Sequence, residues 1–551
     1  MHKANEAVAK HLMEISQMYE LLDDPQDIEQ AKRKAFSYAK NAKTIEDYPV
    51  DISTIVPSTI KGIGPSTTKD IQQFQQSGIS ERYQKLSIKA PPPSIVELTV
   101  LRGIGPKGAK GLFIKYGIKN LKELQVAITD KKITDKDLIE SFEFYKRAGE
   151  RVLYSKAYEI TIKIFNTLNQ LDEVTKLSFG GSLRRARPTV HDADLLCVAT
   201  DKKIVTEWFL KYAENLEDVL VQGATKVRIL VKDFQVDLNF CDESEWGSQL
   251  FHITGPAEFN KKNRAFAKSK RLALGEHGLT LSRGEVISDT EENICKELGI
   301  PYVIPELRDL AGMIDLPEIP KVITMADVKG DTHIHTSGST DATGSVANYA
   351  KAAIDMGYEY LIITDHGKGL PIAQISDSTL DKQFKEIDEF NSRGTSLKIF
   401  KGIEANISPK GTLYYDDEFI KEFDYVVASI HSAFDKDEMS QTARLVEAIR
   451  HPAVKIIGHP DCADYMKRDG IVAKWSTVFE ECVRNNVALE ISGCEPRFGP
   501  SPAWYWRAKQ AGVKFTLGTD SHSISALPTI SYAVMRARRS GIEKSDLLEI
   551  K

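Results

Sequence analysis

The sequence predicts a multidomain α/β chain, with helices at the front, an α+β segment in the middle and a distorted (β/α) barrel at the C-terminal end. Three patterns carry that expectation. Apolar residues recur at helical spacing over the first 50 positions, strand-like runs carry acids at 192, 194 and 237, and beyond residue 325 six short apolar runs meet histidines or carboxylates. A length of 551 residues suits three to four domains, at ~150 residues each. With 73 basic and 78 acidic residues the net charge is −5, so any nucleic-acid surface must be local. The six cysteines are scattered without a Cys-x-x-Cys pair, so no disulfide framework or zinc ribbon is implied. No signal-peptide core and no apolar run of about 18 residues is present, so a reduced, intracellular, cytoplasmic protein without a membrane partner is expected.

In chain order, Val8, Leu12, Ile15, Met18 and Leu21, then Ala35, Tyr38 and Ala39, predict two amphipathic helices. Next, Lys61-Gly62-Ile63-Gly64-Pro65 recurs 41 residues later as Arg102-Gly103-Ile104-Gly105-Pro106. An apolar-x-Gly-Ile-Gly unit between helices is the core of a helix-hairpin-helix. Its glycines let the backbone approach a phosphate while helix N-terminal amides point at it. Gly62, Gly64, Gly103 and Gly105 are therefore candidate DNA contacts that position without reading sequence. Pro91-Pro92-Pro93 separates the two units as a rigid turn, dividing a first domain, 1–90, from a second, 91–150.

The middle segment opens with a helix over Ala157 to Leu171 and reaches Gly180-Gly181-Ser182-Leu183-Arg184-Arg185. Asp192 and Asp194 follow and run into Leu195-Leu196-Cys197-Val198, which puts both carboxylates on one face of a strand. Two oxygen ligands on one face suit Mg²⁺, and Asp237, in the strand-like run Val227 to Phe240, is the candidate third acid. Backbone amides of the glycine turn, the Ser182 hydroxyl and the Arg185 guanidinium are placed to receive a triphosphate. Downstream, residues 261–271 hold six basic residues and no acid, a local surface for DNA that includes Lys261.

Beyond residue 325 the chain carries seven of its twelve histidines. His333 and His335, His366, Glu404, His431, His459, Asp520 and His522 all stand at or near the ends of apolar runs separated by helical segments such as Val346 to Met356. Chemistry at strand C-termini with strand-then-helix repetition is the signature of a (β/α) barrel. The pairs His333/His335 and Asp520/His522 are each expected to share a strand face, and the whole set reads as a metal centre.

Gly-Ser-Leu-Arg-Arg, His191-Asp192-Ala193-Asp194, Asp237, Ile253-Thr254-Gly255-Pro256, Phe259-Asn260-Lys261 and Arg264 together resemble the palm and thumb of family X DNA polymerases. The histidine-rich stretches resemble the bacterial and archaeal members that carry a C-terminal polymerase-and-histidinol-phosphatase (PHP) domain. The resemblance implies helix-hairpin-helix domains, an α+β nucleotidyltransferase palm (151–247) and thumb-like subdomain (248–318), and a distorted (β/α)7 PHP barrel over 325–551. It implies catalytic Asp192, Asp194 and Asp237, with Gly181, Ser182, Arg185, Gly255 and Asn260 on the nucleotide and Lys261 and Arg264 on DNA.

Several positions depart from the family pattern. His252-Ile253 stands where relatives carry an aromatic pair, and Asp70 stands where some carry a Schiff-base lysine, so lyase activity is not expected while 5′-phosphate or gap binding stays open. The loop after His335 has one extra residue, and Asp341 takes the ligand position. Pro460-Asp461-Cys462-Ala463-Asp464 replaces the usual Gly-Arg continuation after His459.

The expectation is thus a monomeric, nucleoid-associated, template-directed DNA polymerase that fills short gaps in repair, base excision repair included. Its partners are gapped or primer-template DNA and nucleoside triphosphates. It uses Mg²⁺ at the palm and up to three Mn²⁺ or Zn²⁺ ions in the PHP domain, which acts as a 3′→5′ exonuclease or 3′-end-processing activity. The alternative is a PHP hydrolase of phosphate monoesters delivered to DNA by a binding-only front half.

Overall fold

In the computed structural model, residues 3–22, 28–46, 48, 50–101, 104–149, 151–215, 218–282, 284–370, 374–464, 468–495, 497 and 499–551 are described. The chain separates into two units, 1–150 and 151–551.

The first unit is helical. Helices Lys3–Glu20 and Ile28–Glu46 bury Val8, Leu12, Ile15 and Met18 against Ala35, Tyr38, Ala42 and Ile45, the faces that helical spacing selects. Gly62, with φ +98°, turns the chain into helix Pro65–Ser77, which Gly64 caps, and Gly105 caps helix Pro106–Tyr116 in the same way. Gly103 lies outside the described residues. No atom comes within 4 Å of where a side chain would begin on Gly62, Gly64 or Gly105, so these backbones are open to a ligand. Asp70 is buried, accepting from Tyr38 Oη at 2.5 Å and Arg82 Nε at 2.8 Å, and Lys69 lies at the surface 3.4 Å from Glu81.

The second unit begins with helix Tyr154–Leu168 on a five-stranded sheet. Its strand order is 174–179, 192–199, 234–240, 226–231, 219–222, antiparallel except for the pair formed by Asp192–Ala199 and Phe234–Phe240. The run Val227 to Phe240, read from sequence as strand-like throughout, is two strands. Lys232 and Asp233, at φ 50° and 64°, make a two-residue hairpin turn whose left-handed backbone matches the twist of its strands.

Helices Trp246–Thr254, Ala257–Ser269 and Glu291–Leu298 follow, with a small three-stranded sheet over 273–287. Glu291 anchors this subdomain. Its buried carboxylate receives Arg184 at 2.7 Å, Arg308 at 2.9 Å and Tyr302 at 3.2 Å, and Arg308 is itself fully buried over Phe251 and Phe259. Burial pushes the Glu291 carboxyl up, but Arg308 and Arg184 outweigh it and hold it below the usual carboxylate range. Because the folded pKa is depressed, the stabilisation is complete above the unfolded value of ~4.3 and is lost as pH falls through the folded one. Glu291→Gln is expected to destabilise by about 3–5 kcal/mol, since two buried guanidiniums lose their charge partner. Thermal melts at pH 7 and pH 3.5 check this; a variant whose melting point equals the parent's at pH 7 contradicts it.

Residues beyond 325 form seven parallel strands in sequential order from Gly330–Ile334 to Phe515–Gly518. A bridge between Ile334 and Ser521 brings the last segment back to the first and nearly closes the barrel. Near-continuous apolar strands such as Tyr425–Ser429 and Ala488–Ser492 are buried on both faces, as parallel strands between helices must be. No helix among the described residues is long and apolar enough to cross a membrane.

Candidate functional site

The first acid cluster lies where the parallel pair of the five-stranded sheet meets the glycine turn. Strand register sets Asp194 directly beside Asp237, with Asp192 two residues upstream on the same face. The hairpin then sets Arg228 opposite Asp237, and its guanidinium binds both carboxylate oxygens, at 2.7 and 2.9 Å, while Lys226 reaches Oδ2 at 2.6 Å. Burial first, then repulsion from Asp192 and Asp237, lifts the Asp194 carboxyl to about 7. Three acids gathered at one sheet end, one of them unfavourable as a bare anion, are a donor set that fits divalent cations.

The glycine turn is pressed onto this cluster. Gly180 N–H donates to the Asp194 carbonyl at 2.7 Å, and Gly181 is left-handed at φ +55°, so a methyl group there would overlap the Asp194 carboxylate. Residues Gly181–Arg184 form one helical turn with Ser182 partly exposed. Arg185 is buried elsewhere: it donates to the Thr254 carbonyl beside Gly255 and lies 3.3 Å from Asp309. Its guanidinium therefore holds the Thr254-Gly255 bend rather than facing the acids. Asn260 donates to the His252 carbonyl at 2.8 Å, and its buried Oδ1 has no hydrogen-bond partner. Arg264 and Lys261 are exposed on helix Ala257–Ser269, Lys261 lying 3.5 Å from Glu258.

The second cluster fills the C-terminal mouth of the barrel. Glu404, fully buried at the end of strand Lys398–Asn406, is the hub. His366 Nδ1 lies 2.7 Å from it, His459 Nε2 2.9 Å, His431 Nε2 3.2 Å, His333 Nε2 3.4 Å and His335 Nε2 3.8 Å. Asp520 lies 3.1 Å from His335, and Asp341 3.4 Å from His366 and 3.6 Å from His522. Among the described residues, three groups bring potential ligand atoms within 4.8 Å of one another: His335/His366/His522, His333/His335/Asp520 and His366/Glu404/His431.

Buried His333 Nε2, both nitrogens of His335, His366 Nδ1, His431 Nε2, Glu404 Oε2 and Asp520 Oδ1 make no well-directed hydrogen bond, even where, as for His366 Nδ1 and Glu404 Oε2 at 2.7 Å, two of them stand close together. So many orphaned donor atoms aimed at one space fit a divalent metal cluster. Burial drives the His335 imidazole down to about 3, the neutral form a metal ligand needs. Burial also pushes the Asp520 and Glu404 carboxyls up, but Arg497 beside Asp520, and His431 and His333 beside Glu404, hold both well below the usual range.

The strand expected to carry Asp520 and His522 on one face ends at Gly518. Asp520 adopts a left-handed backbone at φ 52°, and it is this kink that turns both side chains inward.

Sequence reasoning missed the residues that orient these side chains. Glu490 accepts His459 N–H at 2.6 Å and lies 2.9 Å from His333 Nδ1; Asn406 Oδ1 meets His431 Nδ1 at 2.5 Å; Arg497 pairs with Asp520. An acid inside the apolar run Ala488-Leu489-Glu490-Ile491 is a legible signal for Glu490. Arg497, in a loop, had none. Arg497 and Arg468 also line a cavity of about 230 Å³ against His431 and His459, together with Asp464; Arg468 donates to the Cys462 carbonyl and Arg497 to Asp520.

The model of the DNA polymerase beta thumb matches residues 249–309, and the PHP domain model matches residues 331–493. The chain is 30% identical over 535 residues to the DNA polymerase/3′-5′ exonuclease PolX of Bacillus subtilis (strain 168), covering 94% of this chain and 93% of that protein. It is 22% identical over 338 residues to DNA polymerase lambda of Rattus norvegicus, covering 56% and 58% of the two chains. Its C-terminal part is 30% identical over 199 residues to a probable phosphatase of Caldanaerobacter subterraneus subsp. tengcongensis, 35% of this chain and 75% of that one.

Proposed function

The chain belongs to the family X DNA polymerases that carry a C-terminal PHP domain, and from that premise we propose that it fills short gaps in DNA during repair and trims 3′ ends in the barrel. The observation that carries the reading is the presence in one chain of two intact acid-rich clusters, Asp192/Asp194/Asp237 and the Glu404 hub. In this reading Asp192, Asp194 and Asp237 would hold two Mg²⁺ ions. Bound there, the ions stabilise charge on the attacking and departing oxygens.

Ser182 and the turn amides receive the triphosphate, and Arg185 fixes the Thr254-Gly255 bend against which the nucleotide packs. Asp237 accepts the proton of the primer 3′-hydroxyl. Arg228 and Lys226 now occupy its oxygens, so one must swing aside when the primer arrives; Lys226, the more exposed of the two, has the room. Asn260, Lys261 and Arg264 line the nucleotide and DNA side of helix Ala257–Ser269, and Gly62, Gly64, Gly103 and Gly105 hold backbone phosphates.

In the barrel, His333, His335, Asp341, His366, Glu404, His431, His459, Asp520 and His522 hold up to three Mn²⁺ or Zn²⁺ ions. When bound, they activate water toward a phosphodiester. Arg468 and Arg497 neutralise the phosphate that enters beside His431 and His459. Likeness to probable phosphatases over this part of the chain favours one second reading, hydrolysis of a terminal phosphate monoester.

A 5′-labelled primer in a one-nucleotide gap, incubated with Mg²⁺ or Mn²⁺, tests both readings on a denaturing gel. Lengthening with nucleotides and shortening without them is the expected result. A 3′-phosphorylated primer that loses phosphate and no nucleotide selects the second reading, and an unchanged primer in every lane rejects the first.

A further inference from the structure

At the seam where residues 151 and 187–189 meet the barrel lies a cavity of about 280 Å³ that belongs to neither acid cluster. Arg151 and Arg187 line it from one side, and Arg536 and Arg539, on helix Ile530–Arg539, line it from the other, with Ser501 and Ser540 between. No carboxylate lines it among the described residues.

The charge there is under-compensated. Asp309 accepts from Arg539 at 3.1 Å, yet the same carboxylate lies 3.3 Å from Arg185 and 3.7 Å from Arg187, so one acid serves three guanidiniums. The Arg539 side chain is only 5% exposed, and its buried Nε has no hydrogen-bond partner. Burial, with Arg187 and Arg185 nearby, outweighs Asp309 and lowers the Arg539 guanidinium to about 10. Arg536 donates to the carbonyls of Cys494 and Arg497 and is already committed, and exposed Arg151 donates to the Thr189 hydroxyl through Nε at 2.9 Å and to the Thr189 carbonyl through Nη2, so it offers an anion only its Nη1 edge.

We propose that this seam is a binding site for a phosphate group, held by Arg151, Arg187 and Arg539 and separate from both catalytic clusters. Planar guanidiniums converging on an acid-free cavity match phosphate oxygens, which accept several charge-assisted hydrogen bonds at once. The volume lies just below the ~300–1,000 Å³ of pockets for drug-sized ligands. It suits inorganic phosphate, pyrophosphate or a single phosphate of a DNA backbone. An occupant would bear on the nucleotide turn, because Arg187 N–H donates to the Ser182 carbonyl at 3.0 Å.

Calorimetric titration of the full chain with phosphate and with pyrophosphate, at constant ionic strength, tests this. EDTA in the buffer removes metal-dependent uptake at both acid clusters, and because Arg151 and Arg187 lie in neither cluster nor beside Arg468 and Arg497, their variants separate binding at this seam from binding elsewhere. Saturable binding is expected, weakened about tenfold or more, ~1.4 kcal/mol per decade, in Arg187→Gln and in Arg151→Gln, whose side chains are not fully buried. Repeating the titration with a saturating single-stranded oligonucleotide assigns the source. Loss of pyrophosphate binding means a backbone phosphate occupies the site, and unchanged binding means a free anion does. Absence of saturable binding to either anion, or equal binding by the parent and both variants, overturns the proposal.

Discussion

Asp237→Asn is expected to lower primer extension by a factor of a thousand or more while leaving gapped-DNA affinity within about twofold. The substitution keeps the volume of the side chain but removes the charge that a divalent ion and a hydroxyl proton both require. A thousandfold corresponds to about 4 kcal/mol of transition-state stabilisation, the scale at which a metal ligand contributes several kcal/mol. Position makes this acid the sensitive one. It sits in register between Asp194 on one strand and Arg228 on the other, so its charge balances Arg228 and Lys226 and would also meet a divalent ion held there. Single-nucleotide incorporation kinetics read the first effect and a gel-shift titration reads the second. Extension retained within tenfold would remove Asp237 from the proposed role.

Glu404→Gln is expected to eliminate 3′ shortening, and His333→Ala to do the same, with extension by either variant unchanged. Five imidazoles lie within 3.8 Å of the Glu404 carboxylate, so neutralising it takes away the one anion common to the cluster. Metal analysis of the purified protein gives a second readout, in which Glu404→Gln loses at least one bound transition-metal ion per chain. If shortening persisted in both variants at the parent's rate, the nuclease would have to be assigned outside the barrel.

The motifs were legible because their chemistry is local. Asp192 and Asp194 are two apart on a strand, and Gly62 and Gly64 sit in a short turn before a helix. The histidines that meet at the barrel mouth close apolar runs whose strand character shows in their own composition. Where a signal depends on which strands become neighbours, it was silent. Nothing in Val227 to Phe240 marked Lys232-Asp233 as a hairpin, because neither residue is a glycine or asparagine; the turn is imposed by the pairing of its strands. That pairing alone puts Arg228 on Asp237.

By itself, then, the sequence determined the (β/α) character of the C-terminal half, the paired helical turns at the front and the identity of the residues bearing charge or imidazole. Tertiary structure decided what those residues face. Arg185, expected on a triphosphate, is held between Asp309 and the Thr254 carbonyl, and Arg497, Glu490 and Asn406 orient Asp520, His333 and His431, which are distant from them in sequence. The physical reason is range. Periodicity and turn chemistry act over a few residues, whereas pairing a buried charge is a requirement that the nearest group in space satisfies, wherever in the chain it lies.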